Sequence, residues 1–143
     1  MKNTLKVKRL VKEAIVPSYA KPGDAGLDLT AASVKREHRF IEYGTGLSVE
    51  LPKGHVGLLF PRSSVTNKDM MLKNSVGVLD EGYRGEIKLR FQSLQNSYGE
   101  SVYQVGERIG QLVIVPVASV DIQEVTDLEE SDRGIGGFGS TGS

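Results

Sequence analysis

The sequence has no cysteine, no excess of either charge and no long apolar run, and each absence excludes a class of protein. Without cysteine, neither a disulfide framework nor a thiolate metal site can form. Basic and acidic residues balance at 18 each, so no basic field draws the chain to nucleic acid. No stretch approaches the ~18 apolar residues of a membrane span. Residues 1–8 alternate polar and apolar side chains, which predicts a first strand and not a signal peptide. We therefore expect a cytoplasmic protein that binds neither nucleic acid nor membrane.

Glycine is abundant instead, at 17 of 143 residues, which suits a fold with many tight turns. Short runs of strand-forming residues are separated by glycine- and proline-containing turns. These runs predict strands at 5–10, 40–43, 47–51, 55–60, 87–91 and 111–117. The last run is too apolar for an edge strand, and residues 63–68 predict one or two turns of helix. Many short strands at even spacing predict one all-β domain, a sandwich or a barrel.

The C-terminal segment 133–143 has the most unusual composition, because five of its eleven residues are glycine. Such a segment cannot bury enough apolar surface to fold alone. It nevertheless carries the Arg133 guanidinium, whose paired N–H groups match a phosphate, the ring of Phe138, and hydroxyls in Ser140 and Thr141. Two interpretations stay open on this segment alone: a phosphate- and ring-binding arm, and a flexible Gly/Ser terminus.

Two nucleotide-binding motifs are excluded for this segment. Residues 134–139 match the letters G-x-G-x-x-G, but a dinucleotide fingerprint must open a helix inside a βαβ unit, and here the chain ends. A Walker A loop requires a lysine after its last glycine, and none follows here.

Four further segments combine turn residues with charged or hydroxyl side chains, and each also has a plain structural interpretation. Residues 22–29 carry Asp24 and Asp28, which suit an Asx-rich turn that enters a strand. Residues 61–65 place hydroxyls where a helical turn begins, which suits an anion site or an N-cap. Residues 74–86 predict strand, turn and strand, and residues 106–111 contain an Arg–Glu pair typical of a protein surface.

Together these segments resemble the five ordered motifs of the trimeric deoxyuridine triphosphatase (dUTPase) family. The motifs are Ala25-Gly-Leu-Asp-Leu29, Pro61-Arg-Ser-Ser64, Gly77-Val-Leu-Asp-Glu-Gly-Tyr-Arg-Gly85, Arg108-Ile-Gly-Gln111 and Arg133-Gly-Ile-Gly-Gly-Phe-Gly-Ser-Thr-Gly142. Departures are small: Gly110 stands where alanine is more frequent, Glu81-Gly82 occupies a variable pair, and Ser93–Glu100 suggests an extended hairpin tip.

The resemblance implies a distorted jelly-roll β-barrel over residues 1–132 and a flexible Gly-rich C-terminal arm over 133–143. It also implies a homotrimer with three sites between subunits. One chain supplies Asp28, Gln111 and the 62–64 segment, a neighbour supplies the 74–83 hairpin, and the third lends its arm as a lid.

The implied activity is hydrolysis of dUTP to dUMP and pyrophosphate, which limits uracil incorporation into DNA and supplies dUMP for dTMP synthesis. Asp80 matches the carboxylate that activates water for attack on the α-phosphate, assisted by Mg²⁺. Asp28 is expected to hold a magnesium-bound water. The matching substrate residues fall into groups by the part of dUTP that they contact. They are Arg62, Ser63, Ser64 and Gln111 for the α- and β-phosphates, Arg133, Ser140 and Thr141 for the γ-phosphate, Asn74, Gly77, Val78, Leu79, Asp80 through its main chain and Lys88 for the uracil pocket, Tyr83 for the sugar, and Phe138 with Gly139 over the base.

Two alternatives remain at this point. A deoxycytidine triphosphate deaminase shares the implied fold, but its catalytic glutamate lies on the strand after the hairpin, where this chain has no acid beyond Glu86. A nucleotide-binding trimer that regulates a protein partner is the second alternative, and the partner is unknown.

Overall fold

The protein, seen here in a computed structural model, is described over residues 3–94 and 101–142. The secondary structure of these residues is a series of short strands with one 3-10 helix, Ser63–Asn67. The strands are β1 Lys6–Arg9, β2 Leu27–Thr30, β3 Ser33–Arg36, β4 Ile41–Gly44, β5 Leu47–Glu50, β6 His55–Phe60, β7 Met70–Leu72, β8 Gly77–Leu79, β9 Lys88–Ser93 and β10 Arg108–Pro116. The all-β prediction is confirmed. Most of the hairpin tip predicted at Ser93–Glu100 lies outside the described residues.

The strands form two four-stranded antiparallel sheets, ordered β2-β10-β6-β8 and β3-β4-β9-β7, and β1 pairs separately with β5. Antiparallel sheets commonly bury one face. Here the alternating apolar side chains of β4, β9 and β10 form the buried face. At the centre, the rings of Tyr43 and Phe91 are fully buried and pack edge to face with centroids 5.7 Å apart. Burial raises the pKa of Tyr43 to about 12, and its hydroxyl donates to the carbonyl of Tyr103 at 2.8 Å.

The strands predicted from sequence are confirmed, with shifted ends. β6 spans the predicted residues, and β10 lies between β2 and β6, as its apolar sequence predicts for a central strand. The sequence analysis missed β3 and β7. All four residues of β3 are exposed, so they carry no alternating pattern, and β7 has only three residues, too few to show one.

The chain leaves the barrel after Val117, whose N–H donates to the carbonyl of Gly54. Residues 118–135 are exposed throughout. The backbone hydrogen bonds recorded within the arm join residues three apart, such as Ser140 to Gly137. In the described part of the chain, no helix has the length and apolar character needed to cross a bilayer.

Candidate active site

Strand register brings three of the predicted segments together at one end of the first sheet. On β10, Gln111 pairs with Asp28 of β2 on one side and with Phe60 of β6 on the other. Since Pro61 and Arg62 directly follow Phe60, the 61–64 segment begins beside Gln111. The Gln111 side chain holds this junction, because its Nε2 donates to the Pro61 carbonyl at 3.0 Å.

Asp28 is the electrostatic centre of this group. Its Oδ1 lies 2.9 Å from Arg62 Nε, and its Oδ2 lies 3.0 Å from Arg108 Nη1. Gly26 lets Gln111 pack closely against β2, since a Cβ there would lie 2.2 Å from Gln111 Oε1. We call Asp28, Arg62, Arg108 and Gln111 the Asp28 cluster. A carboxylate between two guanidinium groups fixes both cations while leaving other N–H groups to bind an anion.

Arg108 is a site residue to which the sequence analysis gave no role. Its interpretation as half of an Arg–Glu surface pair is wrong, because Arg108 pairs with Asp28, while Glu107 pairs with Lys68 at 3.3 Å. Only the antiparallel register of β2 and β10 reveals this contact. No group of three or more metal-binding side chains occurs among residues 3–94 and 101–142.

The two serines of the 3-10 helix have different surroundings. Ser63 is exposed, and its carbonyl accepts a hydrogen bond from Thr66. Ser64 is half-buried, and its Oγ lies 2.8 Å from the hydroxyl of Tyr103.

Residues of the segment 74–83 line a separate cavity of about 570 Å³, which we call the 74–83 cavity. The strand–turn–strand hairpin predicted over 74–86 is wrong, because β8 pairs with β6 while β9 pairs with β4 and β7 in the other sheet. The residues that line the cavity include every one predicted for the uracil and sugar pocket, namely Asn74, Gly77, Val78, Leu79, Asp80, Tyr83 and Lys88. Apolar side chains, including those of Leu59, Ile87 and Leu89, form its inner wall. Asp80 is exposed, and across residues 3–94 and 101–142 its carboxylate has no recorded hydrogen-bond or ion-pair partner.

Tyr83 and Lys88 are held in place at the edge of this cavity. The Tyr83 hydroxyl donates to the Glu86 carbonyl at 3.0 Å, and a Cβ at Gly85 would lie 2.3 Å from that hydroxyl, so only glycine fits beneath it. The Lys88 ammonium lies 3.2 Å from Glu42 and 3.6 Å from Glu86. The hydrogen bond from Lys88 to Glu42 raises the pKa of Lys88. Lys88 therefore lines the cavity as part of an ion-pair group.

The Asp28 cluster and Asp80 lie at opposite ends of β6. Leu79 pairs with Gly57 near the start of β6, so Asp80 lies level with Val56, whereas Arg62 follows the end of the strand in extended conformation. Extended chain rises ~3.3 Å per residue, so the interval from Val56 to Arg62 corresponds to roughly 20 Å. Both groups cannot contact one phosphate within one chain.

The arm residues are not brought to either group in this chain. Phe138 is completely exposed, and Arg133 Nε donates to the carbonyl of Gly136 within the arm at 3.0 Å. Gly139, Ser140 and Thr141 are also exposed.

Comparisons with known proteins identify one family. The family model dUTPase matches residues 12–142. A deoxyuridine 5'-triphosphate nucleotidohydrolase from Clostridium kluyveri is 43% identical, with 97% of this chain and 98% of that protein covered. The corresponding enzyme from a Hydrogenobaculum species is 41% identical over 96% of this chain and 97% of its own.

Solved structures extend the likeness to three dimensions. The dUTPase of Staphylococcus bacteriophage 80alpha with dUPNHPP has a TM-score of 0.85 and 31% identity, covering 99% of this chain and all of that one. A mutant dUTPase from S. aureus phage phi11, described with a structural Mg(II) ion, has a TM-score of 0.75 and 28% identity, covering 90% of this chain and 100% of that one.

Proposed function

We propose that the active site of this chain, which belongs to the dUTPase family and hydrolyses dUTP to dUMP and pyrophosphate, is built from parts of different copies. These parts are the Asp28 cluster, the 74–83 cavity and the arm. The architecture of the chain is the jelly-roll barrel of that family. The observation that carries the proposal is the separation of Asp80 from the Asp28 cluster along β6. The reaction needs two things at one phosphorus atom: a group that activates water, and a set of donors that binds the phosphates, which we call the phosphate grip. A second copy must therefore supply one of them.

In this site, Asp80 accepts a proton from a water that attacks the α-phosphorus. The new bond joins the water oxygen to that phosphorus, and the bond from the phosphorus to the bridging oxygen of the β-phosphate breaks. Pyrophosphate is the leaving group, and dUMP remains. The absence of a recorded partner for the Asp80 carboxylate in the described chain supports this role, because its lone pairs are available to water.

The phosphate grip consists of Arg62, Ser63, Ser64 and Gln111, and Arg108 reinforces it through Asp28. Fixed donors stabilise charge that builds on the phosphates because they need no reorganisation during the reaction. The arm then adds Arg133, Ser140 and Thr141 around the terminal phosphate, and Phe138, with Gly139, covers the base.

The segment 74–83 selects the base and the sugar. Backbone groups of Val78, Leu79 and Asp80, with the Asn74 side chain and beside Gly77, pair with the polar edge of uracil, and we expect this close pairing to exclude a 5-methyl group. Tyr83 packs on the sugar and excludes a 2′-hydroxyl. A polar edge of this kind rejects a mismatched hydrogen-bond pattern by orders of magnitude.

The residues present fit magnesium held mainly by the substrate. With no cluster of three metal-binding side chains in the described ranges, protein ligands are few, as Mg²⁺ bound to nucleotide phosphates prefers. Each Asp28 oxygen contacts one guanidinium and keeps a lone pair for a metal-bound water. When bound, magnesium supplies positive charge against the phosphate oxygens.

Neither alternative gains support from the contacts. The Glu86 carboxylate accepts the Gly46 N–H at 2.9 Å and lies 3.6 Å from Lys88, so it has structural partners where a deaminase needs a free acid. The regulatory trimer stays an alternative with an unknown partner, and the cytoplasmic location stays a prediction.

The direct test is pyrophosphate release from dUTP, dTTP, dCTP and UTP, with and without magnesium. We expect fast turnover of dUTP alone, dependent on magnesium. Equal turnover of dUTP, dTTP and UTP would contradict the assigned selectivity for base and sugar. Ammonia is measured in the same reactions, and its release from dCTP would identify a deaminase.

A further inference from the structure

We propose that Tyr103 is a positioning residue for the phosphate grip: its hydroxyl donates to Ser64 Oγ and so directs the Ser64 proton toward a phosphate oxygen of the substrate. This inference rests on the proposed role of Ser64. It distinguishes the two adjacent serines, which the sequence presents as equivalent.

The contact joins the barrel core to the site surface. Tyr103 is 2% exposed, and its hydroxyl lies 2.8 Å from the Oγ of half-buried Ser64. Ser64 lies in the 3-10 helix that follows Arg62. The contact therefore lies next to Ser63 in the chain and two residues after Arg62.

The Tyr103 ring is fixed on several sides. It packs edge to face against Phe91 and Tyr43, with centroids 5.8 Å and 6.3 Å away. Its carbonyl accepts the Tyr43 hydroxyl. The Lys68 ammonium lies 5.0 Å from the ring centroid and is itself paired with Glu107. A ring held in this way keeps its hydroxyl in one position.

The direction of the hydrogen bond follows from the requirement that a buried tyrosine hydroxyl finds an acceptor. Among the described residues, Ser64 Oγ is the recorded partner of the Tyr103 hydroxyl. If Ser64 donated to Tyr103, the tyrosine proton would be buried without an acceptor, which costs free energy. Tyr103 therefore donates, and the Ser64 hydroxyl keeps its own proton for an acceptor outside the core.

The acceptor that suits this proton is an anionic phosphate oxygen. Hydrogen bonds in series polarise one another, so a serine that accepts from tyrosine is a better donor than an isolated one. Ser63 lacks this arrangement, because its hydroxyl has no recorded partner within residues 3–94 and 101–142.

The test is Tyr103→Phe, which keeps the ring and removes the hydroxyl. Its matched control is Tyr43→Phe, which removes another buried hydroxyl from the same aromatic cluster. Because that hydroxyl bonds to the Tyr103 carbonyl and not to the Tyr103 hydroxyl, this control reports the effect of loosening Tyr103 while the bond to Ser64 is kept. For each variant, the melting temperature and the affinity for a non-hydrolysable dUTP analogue with magnesium, and for deoxyuridine, are measured. We expect Tyr103→Phe to weaken analogue binding roughly three- to tenfold, as for loss of one hydrogen bond. Deoxyuridine binding should not change, because it has no phosphate, and Tyr43→Phe should weaken analogue binding less than Tyr103→Phe does.

A double-mutant cycle with Ser64→Ala completes the test. We expect the double variant to bind the analogue no more weakly than Ser64→Ala alone, since Tyr103 acts through Ser64. Unchanged analogue affinity in Tyr103→Phe, or equal weakening for deoxyuridine, would overturn the inference while Ser64→Ala still reports on the phosphate role. If Ser64→Ala itself binds normally, the proposed role of Ser64 fails and the inference fails with it.

Discussion

The two ends of β6 hold their charged groups in opposite ways. At the end near Phe60, Asp28 fixes Arg62 and Arg108 through contacts of 2.9 and 3.0 Å. At the other end, the exposed Asp80 carboxylate has no recorded partner in the described chain. The first arrangement suits binding, because it presents cations in a fixed geometry. The second suits proton transfer, because a carboxylate without a partner can accept a proton from water.

The largest effect is expected at the Asp80 end. Asp80→Asn should lower kcat by roughly 10²–10⁴-fold, the usual contribution of a general base. Binding of the non-hydrolysable dUTP analogue should stay nearly normal, because the side chain keeps its shape. Steady-state kinetics and a binding titration measure the two quantities separately.

The same substitution at Asp28 is the matched control. Asp28→Asn releases two guanidinium groups and should affect substrate binding more than it affects kcat. If Asp80→Asn keeps near-normal kcat, or if both variants lose kcat and affinity in the same proportion, the division of roles between the two ends is wrong.

A smaller loss of activity is expected from removing the arm. Truncation after Asp132 should lower kcat by roughly 10²-fold, the cost of removing one preorganised donor to a developing charge. The melting temperature should change little, because Phe138 is completely exposed and buries nothing in the barrel. Full activity of the truncated chain, or its unfolding, would show that the arm is not a lid.

The sequence predicted much of this site because its signals are local. Turn residues and a short strand locate the segment 74–83, but its pairing as a hairpin was wrong, because β8 and β9 enter different sheets. The glycine content of 133–143 predicts an arm that does not pack, and Phe138 is completely exposed. The contact between Asp28 and Arg108 was out of reach because 80 residues separate the two side chains. Register between β2 and β10 sets that contact, and no local pattern specifies register. Tyr103 was missed for the same reason, since its partner Ser64 is 39 residues away.

The most direct test of the shared site is complementation between two defective chains. Asp80→Asn chains, which retain the arm, are co-expressed with chains truncated after Asp132, which retain Asp80, and oligomers containing both are isolated by two different tags. If each site takes Asp80 and its arm from different copies, about one site in three of every mixed trimer is intact. We predict that the mixed oligomer hydrolyses dUTP well above the sum of its parents. Activity no higher than that sum, in oligomers verified to contain both chains, would contradict a site built from several copies.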